Sequence, residues 1–432
     1  MMTKPLRAFG LIAGVAACGL ALAQDPPQLS LEQAHEAAVR NHPQIRVADL
    51  RALAARQVTR EVRAGFFPNL SASVVAVGTT EDNTRLAAIG GLNNPAIYDR
   101  NAEGLILSQL ITDFGRTANL TGSAKLRAQA QADTAQATRQ QILLAVDGAF
   151  FAAQQAQALT RVAGQTVQTR QIFLEQVTAL ATNQMRSELD VSFARVNLED
   201  GRLLLSKAQN DLEAALAQLS NLMGLRETGS YRLVEESLPA PLGTNVSELV
   251  QQALASRPEL LSFRHQREGA LKFARAEQAA RYPTISAVGA AGVIPIHDPQ
   301  LRDGYAAAGL MLSLPLFAGG YYSARQEEAE LQARAAEEGL RGLENDVIRD
   351  VRLAWLNAQN AFERLRISGQ LLENAQQSFT LAKARYDNKI SSIVEFNQAQ
   401  LNLLAAQITL ASTQYEYLVR RSALRFQTGA LR

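Results

Sequence analysis

Apolar residues recur with helical spacing along two very long stretches of this 432-residue chain. The first, Arg116 to Leu180, contains no proline and three glycines, and the second, Tyr321 to Arg385, lies 205 positions further on and also lacks proline. One apolar stripe, spaced i, i+4, i+7, i+8 and i+11, occurs in both: Ile142, Val146, Ala149, Phe150 and Ala153 return as Val347, Val351, Ala354, Trp355 and Ala358. This spacing marks one face of a helix. Each stretch therefore predicts a helix on the order of 100 Å long, with Phe150 and Trp355 packing against other helices.

The residues before each long stretch repeat in the same order. Ser30 to Asn41 predicts a short amphipathic helix, and its counterpart, 215 positions later, is Asn245 to Ser256. A second helix follows each of these and ends at a proline, Pro68 or Pro283. Because proline cannot continue a helix or donate a hydrogen bond to a sheet, both prolines predict switches from helix to strand.

Residues of alternating character follow each proline, as in Leu70, Ala72, Val74 and Ala76 with serines between the first three. They predict two β-hairpins, at 69–112 and 284–316, with a loop that is ten residues longer in the first. Each strand is about ten residues long, and its alternation is weak. Both properties are typical of strands that cross a bilayer in a membrane barrel.

A glycine-marked corner, Asp113-Phe114-Gly115 or Phe317-Ala318-Gly319-Gly320, leads from each hairpin into the long helix. The long helices predict tight turns at their far ends, where asparagine can adopt left-handed backbone angles, serine can cap the next helix, and an acid three residues later can complete a capping box. These residues are Asn183, Ser187 and Asp190 in the first copy and Asn388, Ser392 and Glu395 in the second. Return helices then run to Gly224 and Gly429, which predict glycine stops.

The order of elements predicts two internal repeats, at 24–240 and 241–432. Their long helical hairpins occupy 116–223 and 321–428, and Leu225 to Thr244 reads as a linker between the repeats. Residues 1–23 predict an export signal peptide, because Lys4 and Arg7 precede an apolar run and Ala21-Leu22-Ala23 resembles a cleavage site. A second interpretation stays open, in which Val15-Ala16-Ala17-Cys18 is a lipoprotein motif and Cys18 carries lipid. After the leader, no apolar run approaches the roughly 18 residues of a membrane-spanning helix.

Composition excludes several functional classes. The net charge is +2, with acids and bases mixed along the helices, so the chain offers no basic patch for nucleic acid. The four histidines show no metal-ligand spacing, and neither a nucleophile motif nor a phosphate-binding glycine loop occurs. The four histidines are expected to be surface or loop residues: His35, His42, His265 and His297. We therefore expect neither an enzyme nor a bound metal or cofactor.

Four strands from one chain cannot form a closed structure in lipid. Open edges would leave backbone groups unpaired in hydrocarbon, at several kcal/mol each. Two chains would give eight strands, a barrel filled by its own side chains, whereas three chains give twelve and leave room for an aqueous lumen. We favour three. The predicted fold is mainly α with a small β part: a trimeric 12-stranded outer-membrane β-barrel continued by a long periplasmic α-helical barrel.

The duplicated order of short helix, proline, hairpin, glycine corner, long helix and Ser-x-x-acid turn resembles the TolC family of outer-membrane channel-tunnels. The most similar segment is Arg385-Tyr386-Asp387-Asn388-Lys389-Ile390-Ser391-Ser392-Ile393-Val394-Glu395-Phe396. It resembles the family's Arg-Tyr-x-x-Gly-x-x-Ser-x-x-acid pattern, with Lys389 in place of glycine. The first copy has Leu180-Ala181 instead of Arg-Tyr and Gln184 instead of glycine.

The resemblance implies a passive homotrimeric exit duct in the outer membrane, in contact with its lipid. Its partners would be a periplasmic adaptor and an inner-membrane transporter, in efflux or in type I protein secretion. Asp190 and Glu395 would form an acidic periplasmic constriction, and Tyr386 would be a gating aromatic that ties neighbouring hairpins together. The simpler alternative is that Asp190 and Glu395 only cap their helices. The competing function is a periplasmic coiled-coil adaptor or structural protein that does not span the outer membrane.

Overall fold

The computed structural model describes residues 27–77, 100–227, 229, 231–241, 243, 245–296 and 302–431. The elements of the first repeat are β1 (Gln28–Leu29), α1 (Leu31–Asn41), α2 (Pro43–Arg63), β2 (Asn69–Val77), β3 (Arg100–Thr112), α3 (Arg116–Thr182) and α4 (Glu188–Leu222). Those that follow are β4 (Arg232–Leu233), α5 (Val246–Ser256), α6 (Pro258–Ala279), β5 (Thr284–Ile296), β6 (Gly304–Ser313), α7 (Tyr321–Asp387) and α8 (Ile393–Gln427). The predicted mainly α fold with two internal repeats and a small sheet is confirmed. The leader, with Cys18, and most of the first hairpin loop lie outside the described residues.

The two repeats match element by element. The long helices α3 and α7 have 67 residues each, and the return helices α4 and α8 have 35 each. Pro68 and Pro283 stand directly before β2 and β5. The return helices end at Gly224 and Gly429, whose φ angles of 73° and 70° lie in the left-handed region that glycine accepts most easily.

The four long strands form one antiparallel sheet in the order β2-β3-β5-β6. Residues paired directly across strands share a face, so one face carries rows such as Leu70, Leu107, Gly289 and Ala308. The other face carries serines and glycines together with apolar residues such as Ile106 and Met311, and there the Tyr305 ring lies over Gly104 and Gly292. The sheet therefore has one mainly apolar face and one mixed face with more small and polar residues, which fits the weak alternation of membrane-barrel strands.

The main core lies at the middle of the helical body, where α1, α3, α4 and α8 meet around Phe150 and Phe151. Phe150 is fully buried, as the sequence predicts. Its counterpart Trp355 behaves differently: it is partly exposed, and its indole N–H donates to the Gly243 carbonyl at 3.1 Å. The inter-repeat linker therefore crosses α7 at Trp355, and the packing of this ring against other helices stays a prediction.

The inter-repeat linker is more structured than the sequence indicates. β4 pairs in parallel with β1 at the start of the described chain. The Tyr417 hydroxyl donates to the Ala240 carbonyl at 3.1 Å, and the Gln154 amide donates to the Val234 carbonyl. Contacts from both long hairpins therefore fasten the linker to the helical body.

One helix departs from the hydropathy expectation. Within the described chain, α3 contains an 18-residue window with a mean hydropathy of 1.2, which meets the length and composition of a membrane span. However, 56% of that window is buried inside the structure. The burial follows from packing of α3 against its neighbouring helices, which explains its apolar composition without a bilayer.

Candidate functional site

The turns that join α3 to α4 and α7 to α8, here called the tips, hold most of the residues singled out by the sequence. The prediction that Asn183 and Asn388 adopt left-handed backbone angles is wrong, because their φ angles are −90° and −84°. The left-handed residues are instead Gln184 (φ 60°) and Lys389 (φ 62°), where the resembling family has glycine. Each asparagine amide donates to a carbonyl one helical turn back, Ala179 or Ala384, at 2.8 Å.

These geometries close both long helices in the same way. The N–H of Met185 donates to the Leu180 carbonyl, and the N–H of Ile390 donates to the Arg385 carbonyl, at 2.9 and 2.8 Å. Such a bond over six residues needs a left-handed residue just before the donor. A side chain with a Cβ pays about 1–2 kcal/mol for this conformation, so both tips hold strained turns.

The two acids take different roles. Asp190 completes a capping box with Ser187, because its carboxylate accepts from the Ser187 N–H at 3.2 Å and the Ser187 hydroxyl accepts in return. Ser392 caps α8 by accepting from the Glu395 N–H, but the predicted reciprocal bond is absent there. The Glu395 carboxylate instead pairs with the Arg385 guanidinium at 3.1 Å. The prediction of a second capping box is therefore wrong: Ser392 caps α8, and Glu395 forms an ion pair instead of the reciprocal bond.

Tyr386 lies in an aromatic cluster between the two hairpins. Its ring stacks on Phe396 with 5.3 Å between centroids, and Phe173 of the other hairpin lies 4.8 Å from Phe396 and 5.9 Å from Tyr386. Phe379 packs on the same group. The cluster joins α3 to α7 and α8 near the tips.

Arg186, in the first tip, provides a second link between the hairpins. Its guanidinium lies over the Tyr386 ring, 3.9 Å from the centroid, and its Nη2 donates to the Tyr386 carbonyl at 2.8 Å. No pattern in the sequence marks Arg186, because its partner lies 200 positions away. The contact can be read only from the packed hairpins.

The chemistry of Tyr386 is set by burial. The side chain is only 3% exposed, and its hydroxyl is buried without a hydrogen-bond partner among the described residues. Burial raises the pKa of the Tyr386 phenol, and the nearby Asp190 and Asp387 raise it further, while Arg186 opposes them. The phenol therefore stays neutral, and its contribution here comes from the ring rather than from a hydrogen bond.

The histidines were expected to be surface or loop residues, but His35 and His265 lie in helices and are half-buried. His35 contacts the buried Asp147 at 2.5 Å, and His265 contacts Asp133 at 2.7 Å. His42 is buried and caps α2, its Nδ1 accepting from the Gln44 N–H. His297 lies outside the described residues. Among the described residues, no group of three or more histidine, cysteine or acidic side chains is placed to hold a metal.

Comparison with proteins of known structure identifies the fold. The chain superposes on CusC with a TM-score of 0.78 and 21% identity over 92% of each chain. That CusC structure comes from a study of the conformational changes that accompany folding and transmembrane channel formation. It superposes on the outer membrane protein VceC of Vibrio cholerae with a TM-score of 0.75 and 19% identity over 92% and 96%.

Sequence relatives extend over nearly the whole chain. Outer membrane protein TolC of Escherichia coli (strain K12) is 24% identical, covering 93% of this chain and 82% of TolC. Alkaline protease secretion protein AprF of Pseudomonas aeruginosa is also 24% identical, covering 95% and 87%. The model of the family described as outer membrane efflux protein matches residues 34–225 and 249–430. The two matched segments coincide with the two structural repeats, and the chain belongs to the outer membrane efflux protein family.

Proposed function

We propose that three copies of this chain form a passive exit duct through the outer membrane, with the helices extending into the periplasm as a tube. The observation that carries this proposal is the open sheet. Within the described chain, β2 and β6 each have one unpaired edge, and the sheet exposes apolar side chains that water would not favour. Such a sheet is compatible with lipid only when other copies complete it.

The exposed apolar residues support that arrangement. Val74 on β2 is 71% exposed and Leu310 on β6 is 74% exposed. The aromatic residues at the junction between sheet and helices, where a membrane surface would lie, are also exposed: Phe66, Phe67, Phe114, Tyr282, Phe317 and Tyr321. Aromatic girdles of this kind flank the apolar band of membrane barrels.

The helical body has matching open sides. α3 packs against α2, α4, α6 and α8, whereas α7 contacts α5, α6 and α8. Exposed apolar residues on α2 and α4, such as Leu50 and Leu203, and on α7, such as Leu356 and Leu381, lack a covering helix in one chain. A ring in which α7 of one copy packs on α2 and α4 of the next would bury both sides.

The tips would form the gate of this duct. Arg186 and the aromatic cluster hold the two hairpins of each chain together, which favours a closed periplasmic end. Three copies of Asp190 and Glu395 would supply a modest acidic constriction, because Arg385 neutralises Glu395 and the Asp190 carboxylate is engaged in capping. A ring of carboxylates slows anions and favours cations.

The partners are inferred from the relatives. A probable efflux pump outer membrane protein, TtgC of Pseudomonas putida, is 25% identical over 90% of this chain, and AprF belongs by name to protease secretion. We infer a pump or secretion complex, with a periplasmic adaptor and an inner-membrane transporter. Membership of an outer-membrane family favours this duct over the adaptor alternative.

A combined measurement tests the proposal. The mature protein, extracted from outer membranes with detergent, is expected to have the mass of a trimer by native mass spectrometry and to form ion-conducting pores in planar bilayers. Far-UV circular dichroism should show much more helix than strand. Recovery as a stable monomer in buffer without detergent would contradict the duct and favour the adaptor.

A further inference from the structure

The two hairpins of the sheet share one register. β2 and β3 pair Asn69 with Ser108, and β5 and β6 pair Thr284 with Ser313. The second pair is the first one displaced by the repeat offsets, which are 215 positions for the leading strand and 205 for the returning strand. The internal repeat therefore holds at the level of single residues in the sheet.

The contact between the hairpins supplies a template for the contact between copies. In that seam, β3 pairs with β5, so that Ser108 faces Val288 and Leu107 faces Gly289. Applying the same offsets turns β3 into β6 of one copy and β5 into β2 of the next. The two strands produced in this way are the two that have an unpaired edge among the described strands of one chain.

We infer that β6 of one copy pairs antiparallel with β2 of the next copy in the register that places Ser313 opposite Ser73. This inference rests on the proposed trimer and specifies how its barrel closes. The neighbouring pairs in this register are Leu310 with Ala76, Met311 with Val75, Leu312 with Val74 and Leu314 with Ala72.

The register brings together side chains that are otherwise exposed. Leu312 and Val74 are 65% and 71% exposed in the single chain and would face each other directly. Cross-strand pairs of this type are the stabilising unit of a sheet. The seam thus removes exposed apolar surface on both edges at once.

The segment after β6 fits the same register. Leu314 to Phe317 pairs with no described strand of the same chain and corresponds to the end of β3, from Gln109 to Thr112. The register of β3 is irregular between Leu110 and Thr112. Pro315 is the counterpart of Leu110, so the residue without an N–H falls beside an irregular position, where proline is tolerated.

The helices beneath the sheet show how the two seams differ. Within one chain, α6 holds α3 through polar contacts: Ser262 bonds Thr134 at 3.0 Å and His265 bonds Asp133 at 2.7 Å. The counterparts of Ser262 and His265 on α2 are Val47 and Leu50, which are exposed. The counterparts of Thr134 and Asp133 on α7 are Gly339 and Glu338, so the helical seam between copies has neither of these two polar links.

Cysteine crosslinking in the full chain, expressed in its outer membrane, tests the register. Ser73→Cys combined with Ser313→Cys places two thiols directly opposite, where Cβ atoms lie about 4.5–5.5 Å apart and a disulfide or a short bis-thiol linker can join them. Ser71→Cys with Met311→Cys uses the same face and strands but separates the thiols by about 13 Å. The four chains that carry only one of these substitutions report any crosslink made through Cys18.

The expected result is conversion of the Ser73→Cys, Ser313→Cys chain into covalent dimers and trimers that are lost on reduction, with no crosslink in the Ser71→Cys, Met311→Cys chain. Crosslinking of the Ser71→Cys, Met311→Cys chain, or stronger crosslinking of Ser71→Cys with Ser313→Cys, would overturn the register. Native mass spectrometry separates the two levels of failure. A trimer with the wrong crosslinks refutes only the register, whereas a monomer refutes the proposed duct.

Discussion

Replacing Arg186 with alanine should open the periplasmic end of the duct. The change removes a guanidinium that lies 3.9 Å from the Tyr386 ring centroid and donates to the Tyr386 carbonyl at 2.8 Å. A partly desolvated cation–π contact is worth about 0.5–2 kcal/mol, and a hydrogen bond from a charged group contributes about 1.5–3 kcal/mol. Since Arg186 is partly exposed, we take the free energy lost in the alanine variant to be about 2 kcal/mol per chain. This loss corresponds to a roughly 30-fold shift of the equilibrium between the closed and the open tip toward the open tip.

The measurement is the open probability and conductance of single channels in planar bilayers. Arg385→Ala is the matched control, because it removes the same charge one residue from Tyr386 but breaks only the ion pair with Glu395 inside one hairpin. That pair is about half exposed and is worth at most about 1 kcal/mol. Arg186→Ala should therefore open the channel much more than Arg385→Ala.

The Tyr386→Phe variant tests the contribution of the hydroxyl apart from that of the ring. Because the hydroxyl is buried and has no hydrogen-bond partner, its loss should leave gating unchanged, whereas Tyr386→Ala should open the tip. Equal effects of Arg186→Ala and Arg385→Ala, or opening by Tyr386→Phe, would refute this reasoning. The two hairpins would then not be held together by the contact between Arg186 and the Tyr386 ring.

Four further outcomes are expected. Lys389→Gly relieves the backbone strain of a left-handed residue (φ 62°) and should stabilise the second tip by about 1 kcal/mol. The gain would be measured as slower amide hydrogen exchange at that tip, whereas Gln398→Gly inside α8 should destabilise the helix. Asp190→Lys with Glu395→Lys should reduce cation preference, read as a shifted reversal potential; an unchanged potential would eliminate the acidic constriction. Gly224→Ala should lower the melting temperature, because its Cβ would lie 2.7 Å from the Asn41 carbonyl carbon at a φ of 73°, while Gly148→Ala, with open space, should not. Burial lowers the pKa of His42 from 6.5, so its contribution to stability is complete above pH 6.5 and is lost as the pH falls. His42→Asn, which keeps a capping side chain, should weaken that acid dependence in thermal unfolding, and an unchanged pH profile would contradict it.

The sequence by itself determined the periodic parts of this protein. Helical spacing fixes the apolar stripe that contains Phe150, and Pro68 and Pro283 stand where helices give way to strands. Gly224 and Gly429 end the return helices, because only local backbone geometry is involved. The repeat offsets of 215 and 205 were readable in the same way and reappear in the strand register.

Tertiary structure decided every contact between residues distant in sequence. Arg186 meets Tyr386, β1 pairs with β4, and Trp355 binds the linker, and none of these pairings has a periodic signal. The tips show the same limit at short range: propensity favours Asn183 and Asn388 for left-handed angles, yet Gln184 and Lys389 adopt them. The reason is that the bond from Met185 to the Leu180 carbonyl, and its counterpart from Ile390, needs the left-handed residue directly before its donor. The position of this closing bond therefore sets which residue bears the strain, and packing sets which residues meet.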